Sequence, residues 1–288
     1  MSLPAPPASG TAMLPAGTFA GEVVAITGGG TGLGKAMAIE FARLGAAVAI
    51  LSRGDAHRAA GIAAVEAVGG SVHGASVDVR DADAVARAFD EVEAALGPVG
   101  VLINNAAGNF PVAAEALSPN GWRAVTQIVL DGTFFCSREF AQRRIAAGRP
   151  GAILNIAATY AWTGGPGAAH SAAAKAGVVN LTLTLSVEWA AHGIRVNALA
   201  PGLFPHDDMA PQMRANRPEG YAAAGETIPA GRVGQLHELG WAATYLCSPF
   251  AAYVSGHTFV IDGANWQRRG LHMPPYEPVP QQLQRKRT

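Results

Sequence analysis

Between residues 157 and 177 the chain reads AATYAWTGGPGAAHSAAAKAG, which gathers a phenol, an imidazole, a hydroxyl and an amine: Tyr160, His170, Ser171 and Lys175. Ser171 stands four positions before Lys175, one turn away on the same face of a helix. Hydroxyl and ammonium groups so placed could hold a developing oxyanion or pass it a proton. Each has a plainer reading as well. Tyr160 could be an aromatic packing at a strand end, and Ser171 a small residue that gives a helix room.

A second cluster suits phosphate rather than proton chemistry. TGGGTGLGKAMA, residues 27 to 38, spaces Gly28, Gly32 and Gly34 as G-x-x-x-G-x-G directly after an apolar run. Glycines there permit a tight turn and let backbone N–H groups approach a pyrophosphate at a helix N-terminus. Thr27, Gly28, Gly30, Thr31, Gly32, Leu33 and Gly34 are therefore candidate cofactor contacts, although glycines also serve ordinary turns. The next apolar run ends ILSRGD, with Ser52 and Arg53 where an acid would otherwise meet the ribose hydroxyls of NAD. A guanidinium at that point suits a 2′-phosphate, so the expected cofactor is NADP(H). Asp55, just beyond, could still serve a ribose. Asp78, with Val79 beside it, could accept from an adenine amino group, while Asp81 is placed to cap a helix. In NNAAG, residues 104 to 108, the small residues leave room for the adenosine ribose; Asn105, Ala106, Ala107 and Gly108 join the candidate contacts. Taken alone, that pentapeptide could be only a turn.

These clusters need a scaffold that brings strand ends together. Runs at 22–27, 46–51, 71–77, 100–104, 152–156, 194–199 and 258–262 read as seven nearly continuous apolar strands, which suits a parallel sheet covered on both faces. Helical stretches fall between them near 33–44, 55–68, 81–96, 121–147, 168–191 and 235–248. The alternation predicts an α/β fold: one domain with a Rossmann-like, doubly wound parallel sheet of about seven strands. The expected divisions are a disordered tail at 1–19, the cofactor-binding domain at 20–265, and a basic, Pro-rich tail at 266–288. The segment 203–232, rich in Pro and Gly, reads as a substrate lid.

Composition excludes several classes. The chain has 288 residues, 49% hydrophobic and 15% charged, with a formal net charge of zero. A neutral chain offers no electrostatic footprint for nucleic acid, and no run of 18 apolar residues predicts a membrane span. The first 18 residues carry no Lys or Arg, unlike a secretory or transit leader, and the ending QRKRT is not a peroxisomal address. A cytoplasmic protein with reduced Cys136 and Cys247 is expected. The histidines show no metal-ligand spacing, so no metal is expected.

With TGxxxGxG, NNAAG, Lys175 and RVNALAPG (195–202) in this order, residues 20 to 265 resemble the short-chain dehydrogenase/reductase family. The resemblance implies that Lys175 binds the nicotinamide ribose and that Pro201 and Gly202 cradle the nicotinamide end. It also implies a homo-oligomer, most commonly a tetramer. The chain departs from the family's usual catalytic set: Ser171 stands at its tyrosine position, Ala158 at its serine position and Val129 at its helix asparagine. INNAAGNF (103–110), LSPNGW (117–122), IVLDGTFF (128–135) and the stretch from Tyr160 to Lys175 resemble the 2,4-dienoyl-CoA reductases, the mitochondrial form in particular. In that group the active tyrosine lies 15 residues before the lysine, as Tyr160 does here, and a serine stands where Ser171 does. Asn109 matches the asparagine that partners the tyrosine, while His170 matches a histidine of peroxisomal relatives. The resemblance implies NADPH-dependent reduction of an acyl-CoA-type substrate, a 2,4-dienoyl-CoA, to a 3-enoyl-CoA in the degradation of unsaturated fatty acids. Another enoyl or carbonyl substrate, or a non-catalytic NADP-binding role, would fit the same scaffold. Arg214, Arg217, Arg232, Arg268 and Arg269 are available to meet the phosphates of CoA, although each reads first as a solvated surface charge and none is taken as a site residue.

Overall fold

The computed structural model describes residues 3–208, 220–267 and 278–285. Seven strands form one parallel sheet: β1 (Val23–Thr27), β2 (Ala47–Leu51), β3 (Val72–Ala75), β4 (Val99–Asn104), β5 (Gly151–Ile156), β6 (Ile194–Pro201) and β7 (Thr258–Ile261). Their spatial order is β3-β2-β1-β4-β5-β6-β7, so the winding reverses between β1 and β4. Ligands in such sheets sit outside the carboxyl ends of the strands at that reversal. The seven expected strands are all present; β3 ends earlier than its apolar run, and β6 continues to Pro201.

The helices are α1 (Gly32–Arg43), α2 (Asp55–Glu66), α3 (Ala82–Leu96), α4 (Pro119–Thr126), α5 (Gly132–Ala146), α6 (Tyr160–Thr163), α7 (Ala169–Glu188), α8 (Gly220–Glu226), α9 (Leu236–Cys247) and α10 (Val279–Arg285). On one face of the sheet, Val24, Ile26, Val48 and Ile50 pack with Met37 and Phe41 of α1 and Leu239 of α9. On the other, Ala25, Ala49, Leu102 and Ile153 pack with Phe89 of α3 and Phe140 of α5. Both faces of the strands are consumed, hence their unbroken apolar runs. Asp81 caps α3 by accepting from the Asp83 and Ala84 N–H groups at 2.9 and 3.1 Å, and Ser118 caps α4 by accepting from Gly121 N–H at 3.0 Å.

The single helix expected at 121–147 is divided. A π-helical segment, Gln127–Asp131, separates α4 from α5, and Thr133 Oγ1 donates to the Val129 carbonyl at 2.7 Å within the widened turn. The N-terminal segment, expected to be a disordered tail, lies against the body. Leu3 N–H donates to the Ala230 carbonyl at 2.9 Å, the Pro7 carbonyl lies 3.1 Å from His237 Nε2, and buried Phe19 packs edge-on against Phe41.

Candidate active site

Glycine does its work at the end of β1 by leaving space. Gly28 takes φ +63°, and a side chain there would stand 3.1–3.2 Å from Asn105 and Ala106. At Gly30 a side chain would strike the His57 backbone, and at Gly34 the Gly28 carbonyl. The motif therefore lets β1, α1 and α2 close onto one another as well as onto a ligand. Thr27 and Asn105 belong to that frame. Thr27 Oγ1 accepts from the Asn105 and Ala106 N–H groups at 2.9 Å each. Asn105 Nδ2 donates to the carbonyls of Thr27 and Gly28 at 3.0 and 3.2 Å. These two residues, expected to touch a cofactor, spend their polar groups on each other's loops.

Beside this turn opens a cleft of about 320 Å³ lined by Gly28, Thr31, Ser52, Arg53, Asp78, Val79, Ala106 and Ala107, all expected as cofactor contacts. Gly108 lies on the same strand-end loop, near Ile128. The cleft also takes in Leu51, Gly54, His57, Val77 and Ile128, which no motif marks; only their place beside strand ends could have pointed to them. A concave site at a parallel-sheet reversal, with bare backbone at a helix N-terminus, fits the adenosine half of a dinucleotide. Arg53 is 70% exposed, with Nη1 3.7 Å from Asp78 Oδ2. Asp78 reaches the cleft with the Arg80 guanidinium already on both oxygens, at 2.6–3.1 Å. Arg80 holds its carboxyl down to about 2 against the opposing effect of burial. Asp78 thus lines the cleft as an ion-pair partner of Arg80. Asp55 is occupied too: Arg58 Nη2 lies 2.6 Å away, and Arg58 Nη1 donates to the carbonyls of Ser52 and Arg53 at 3.0 and 3.2 Å. Arg53 is left as the loosely held cation of the cleft.

Across the reversal, the end of β5 and the start of α7 bring together the polar side chains expected to carry proton chemistry. α6 is a single turn that turns Tyr160 toward α7, and its hydroxyl lies 3.0 Å from Ser171 Oγ. Burial raises the phenol's pKa, and the Ser171 hydroxyl partly offsets that effect. Lys175 is buried one turn further along, its Nζ donating to the Ile156 carbonyl at the end of β5. Burial pushes its amine down to about 8. His170 is buried with Nδ1 accepting from Ser171 N–H at 2.8 Å, which puts the ring proton of the neutral form on Nε2. Phe110 meets this ring edge-on at 4.6 Å. His170 therefore braces the backbone of Ser171 and does not hydrogen-bond the phenol.

Asn109 differs from expectation. It is exposed on the loop after β4, and among the described residues no hydrogen bond joins it to Tyr160. The phenol's partner is Ser171. Ala158 and Val129, at positions where the resembled family carries polar groups, are buried apolar residues. Pro201 ends β6. Gly202 packs so closely on Asp262 that a side chain would come within 2.5 Å of its Cβ. Trp162 of α6 and Trp266 beyond β7 meet with centroids 5.4 Å apart, a contact that no motif signals.

The segment after β6, expected to be a lid over 203–232, is described only in part: residues 209–219 lie outside the described residues, as do Arg214, Arg217, Arg268 and Arg269. Arg232 is paired with Glu238 at 2.8 Å, so it is not a free cation for a CoA phosphate. Asp208 reaches back to α1, where its carboxylate accepts from Gly32 N–H and lies 2.9 Å from Lys35 Nζ. Among the described residues there is no metal-binding cluster, and no helix is long and apolar enough to cross a membrane.

Residues 28–264 match the family model described as enoyl-(acyl carrier protein) reductase. The chain is 43% identical over 246 residues to a probable 2,4-dienoyl-CoA reductase, (2E)-enoyl-CoA-producing, of Bacillus subtilis (strain 168), covering 85% of this chain and 96% of that protein. It is 35% identical over 266 residues to the peroxisomal 2,4-dienoyl-CoA reductase, (3E)-enoyl-CoA-producing, of Arabidopsis thaliana, covering 88% and 87%. A crystal structure of a short chain dehydrogenase from Bacillus anthracis superposes with a TM-score of 0.78 at 42% identity, covering 88% of this chain and 99% of that one.

Proposed function

The chain belongs to the short-chain dehydrogenase/reductase family, and from that premise we propose that it is an NADPH-dependent reductase of 2,4-dienoyl-CoA thioesters. It is an oxidoreductase that resembles the dienoyl-CoA reductases. The observation that carries the finer reading is the Tyr160 hydroxyl, 3.0 Å from Ser171 and one turn of α7 from buried Lys175. The phenol thus stands in the catalytic corner although Ser171 occupies the family's usual tyrosine position.

Bound NADPH supplies a hydride to C5 of the conjugated thioester. Negative charge then spreads over a dienolate and onto the thioester oxygen. Tyr160 donates a hydrogen bond to that oxygen, with Ser171 Oγ holding the phenol's orientation. A preorganised donor at the place where charge develops lowers the barrier by several kcal/mol. Asn109, on the exposed loop opposite, becomes a second donor only when substrate draws it in. Lys175, tied to Ile156, orients the nicotinamide ribose and adds a positive charge behind the anion. Arg53 pairs with the 2′-phosphate, and the turn from Gly28 to Gly34 receives the pyrophosphate. Protonation of the dienolate at C2, from Tyr160 or a water it holds, leaves a 3-enoyl-CoA. Protonation at C4 would leave a 2-enoyl-CoA, the product named for the Bacillus subtilis relative.

We place the enzyme in the cytoplasm, in unsaturated fatty acid degradation, as a homotetramer. The apolar side chains that α5 and α7 leave exposed, Phe134, Leu183 and Val187, support assembly. The description of the matched family model favours a second reading, reduction of a simple 2-enoyl thioester. NADPH consumption with a short 2,4-dienoyl-CoA, a 2-enoyl-CoA and a 3-oxoacyl-CoA tests the proposal. Turnover of the dienoyl substrate above the other two is expected. Preference for the 2-enoyl-CoA would install the second reading, and cofactor binding with no turnover would mark a non-catalytic protein. Chromatography of the dienoyl product separates protonation at C2 from protonation at C4.

A further inference from the structure

The donors at the start of α1 are already in use. Gly32 N–H donates to Asp208 Oδ2 at 2.9 Å, and Lys35 Nζ lies 2.9 Å from the same oxygen. Gly32 has φ +49°, and a side chain on it would stand 2.7 Å from the His206 ring. Only a bare backbone lets the segment after β6 come this near. The Asp208 carboxyl is held below its usual value, first by the Gly32 N–H and then by Lys35. An anion seated on a helix N-terminus beside a lysine repeats the arrangement in which such a turn receives a phosphate. Here the anion is the chain's own.

We propose that Asp208 is an internal stand-in for the cofactor's pyrophosphate, and that Lys35 is the side chain that receives the pyrophosphate when Asp208 leaves. The inference rests on the cofactor site and is independent of which substrate is reduced. A carboxylate and a pyrophosphate repel one another across a few ångströms, so one amide and one ammonium serve them by exchange. Lys35 keeps an anionic partner throughout, which limits the cost of the swap. Pro201 and Gly202, which start the segment carrying Asp208, adjoin the nicotinamide end in the proposed site. Occupation of α1 by dinucleotide therefore frees the first residues of that segment beside the reacting centre.

The test is the affinity of the whole protein for NADPH, with no substrate present, by titration calorimetry. Asp208→Asn keeps the side-chain size and removes the charge. It is expected to bind NADPH about three- to tenfold more tightly than the wild type, the scale of losing one partly exposed charge-assisted competitor. Inorganic pyrophosphate, used as a second probe, should gain in the same direction. In the Asp208→Asn background, Lys35→Met should weaken NADPH binding at least threefold, since the lysine then has only the cofactor to serve. Thermal melting of each variant checks that it folds, and Asp208→Ser offers a second neutral replacement should the asparagine variant melt early. Equal or weaker NADPH binding by the neutral variants would overturn the stand-in, and an inert Lys35→Met change would overturn the lysine's role. A wild type that bound no NADPH would instead sink the cofactor reading itself.

Discussion

The two sides of the sheet's carboxyl edge are built on different principles. From β3 to β4 the site is made of backbone: glycines that admit close approach, a glycine-built helix N-terminus, and strand-end loops tied by Thr27 and Asn105. From β5 to β7 it is made of side chains: a phenol on a one-turn helix, a hydroxyl and an amine on α7, and an acid reaching back from beyond β6. Backbone construction tolerates few residue types at each position, while side-chain construction can move a function along the chain so long as the group reaches the same point in space. The role proposed for the Tyr160 phenol, with serine at the family's usual position, would be an outcome of that freedom.

The sharpest way to break this contrast is to remove the group held to have moved. Tyr160→Phe deletes one donor and keeps the ring, so turnover should fall roughly a hundred- to thousand-fold, the scale for losing one donor to a developing oxyanion. NADPH affinity should hold, because the backbone side is untouched. Full activity in Tyr160→Phe with loss in Ser171→Ala would return the chemistry to the serine.

On the backbone side the most telling change is to the one loosely held cation. Arg53→Asp replaces a phosphate partner by a repelling charge beside Asp78, and the ratio of NADPH to NADH affinity should drop by about ten- to a hundred-fold. Since Arg58 and Arg80 are spent on Asp55 and Asp78, neither can substitute without breaking its own pair. An unchanged ratio would assign the phosphate to another residue of the cleft, with His57 next in line.

Smaller still is the expected effect of Ser171→Ala, about tenfold in turnover, because no charge develops at that hydroxyl and only the phenol's orientation is lost. Measured with Tyr160→Phe in a double-variant cycle, it should add little once the phenol's hydroxyl is gone.

The contrast also separates what the sequence makes legible from what it does not. Seven apolar runs announce the strands because both faces are buried, and the glycine spacing announces the turn because sterics leave few alternatives. The Tyr160–Lys175 spacing is visible, but its meaning depends on the α6 turn, which apolar periodicity does not reveal. Asn109 shows the converse: a motif match points to its loop, yet its side chain is exposed and makes no hydrogen bond to Tyr160 among the described residues. The pairing of Asp78 and the placement of Asp208 lie beyond pattern reading for a common reason. Their partners, Arg80 and the Gly32–Lys35 pair, are fixed by a local turn in one case and by a contact across 176 positions in the other. Neither leaves a periodic trace.

Proton linkage tests how tightly the side-chain half is coupled to the fold. Burial holds Lys175 at about 8 against its ordinary 10.5. Below 8 the amine is charged in both the folded and the unfolded chain, and the fold carries the full cost of burying it. Between about 8 and 10.5 the folded protein has released a proton that the unfolded chain keeps, so unfolding free energy should rise with pH across that window, by on the order of 3 kcal/mol in all. Cofactor affinity should move the other way, declining by at most about tenfold per unit as pH climbs through 8 and the charge behind the ribose disappears. Lys175→Met should flatten both trends relative to the wild type, in chemical denaturation and in NADPH titration between pH 7 and 10. A wild type whose stability and affinity both stay flat from pH 8 to 10 would mean that the lysine stays charged in the fold, and that the Ile156 carbonyl compensates its burial in full.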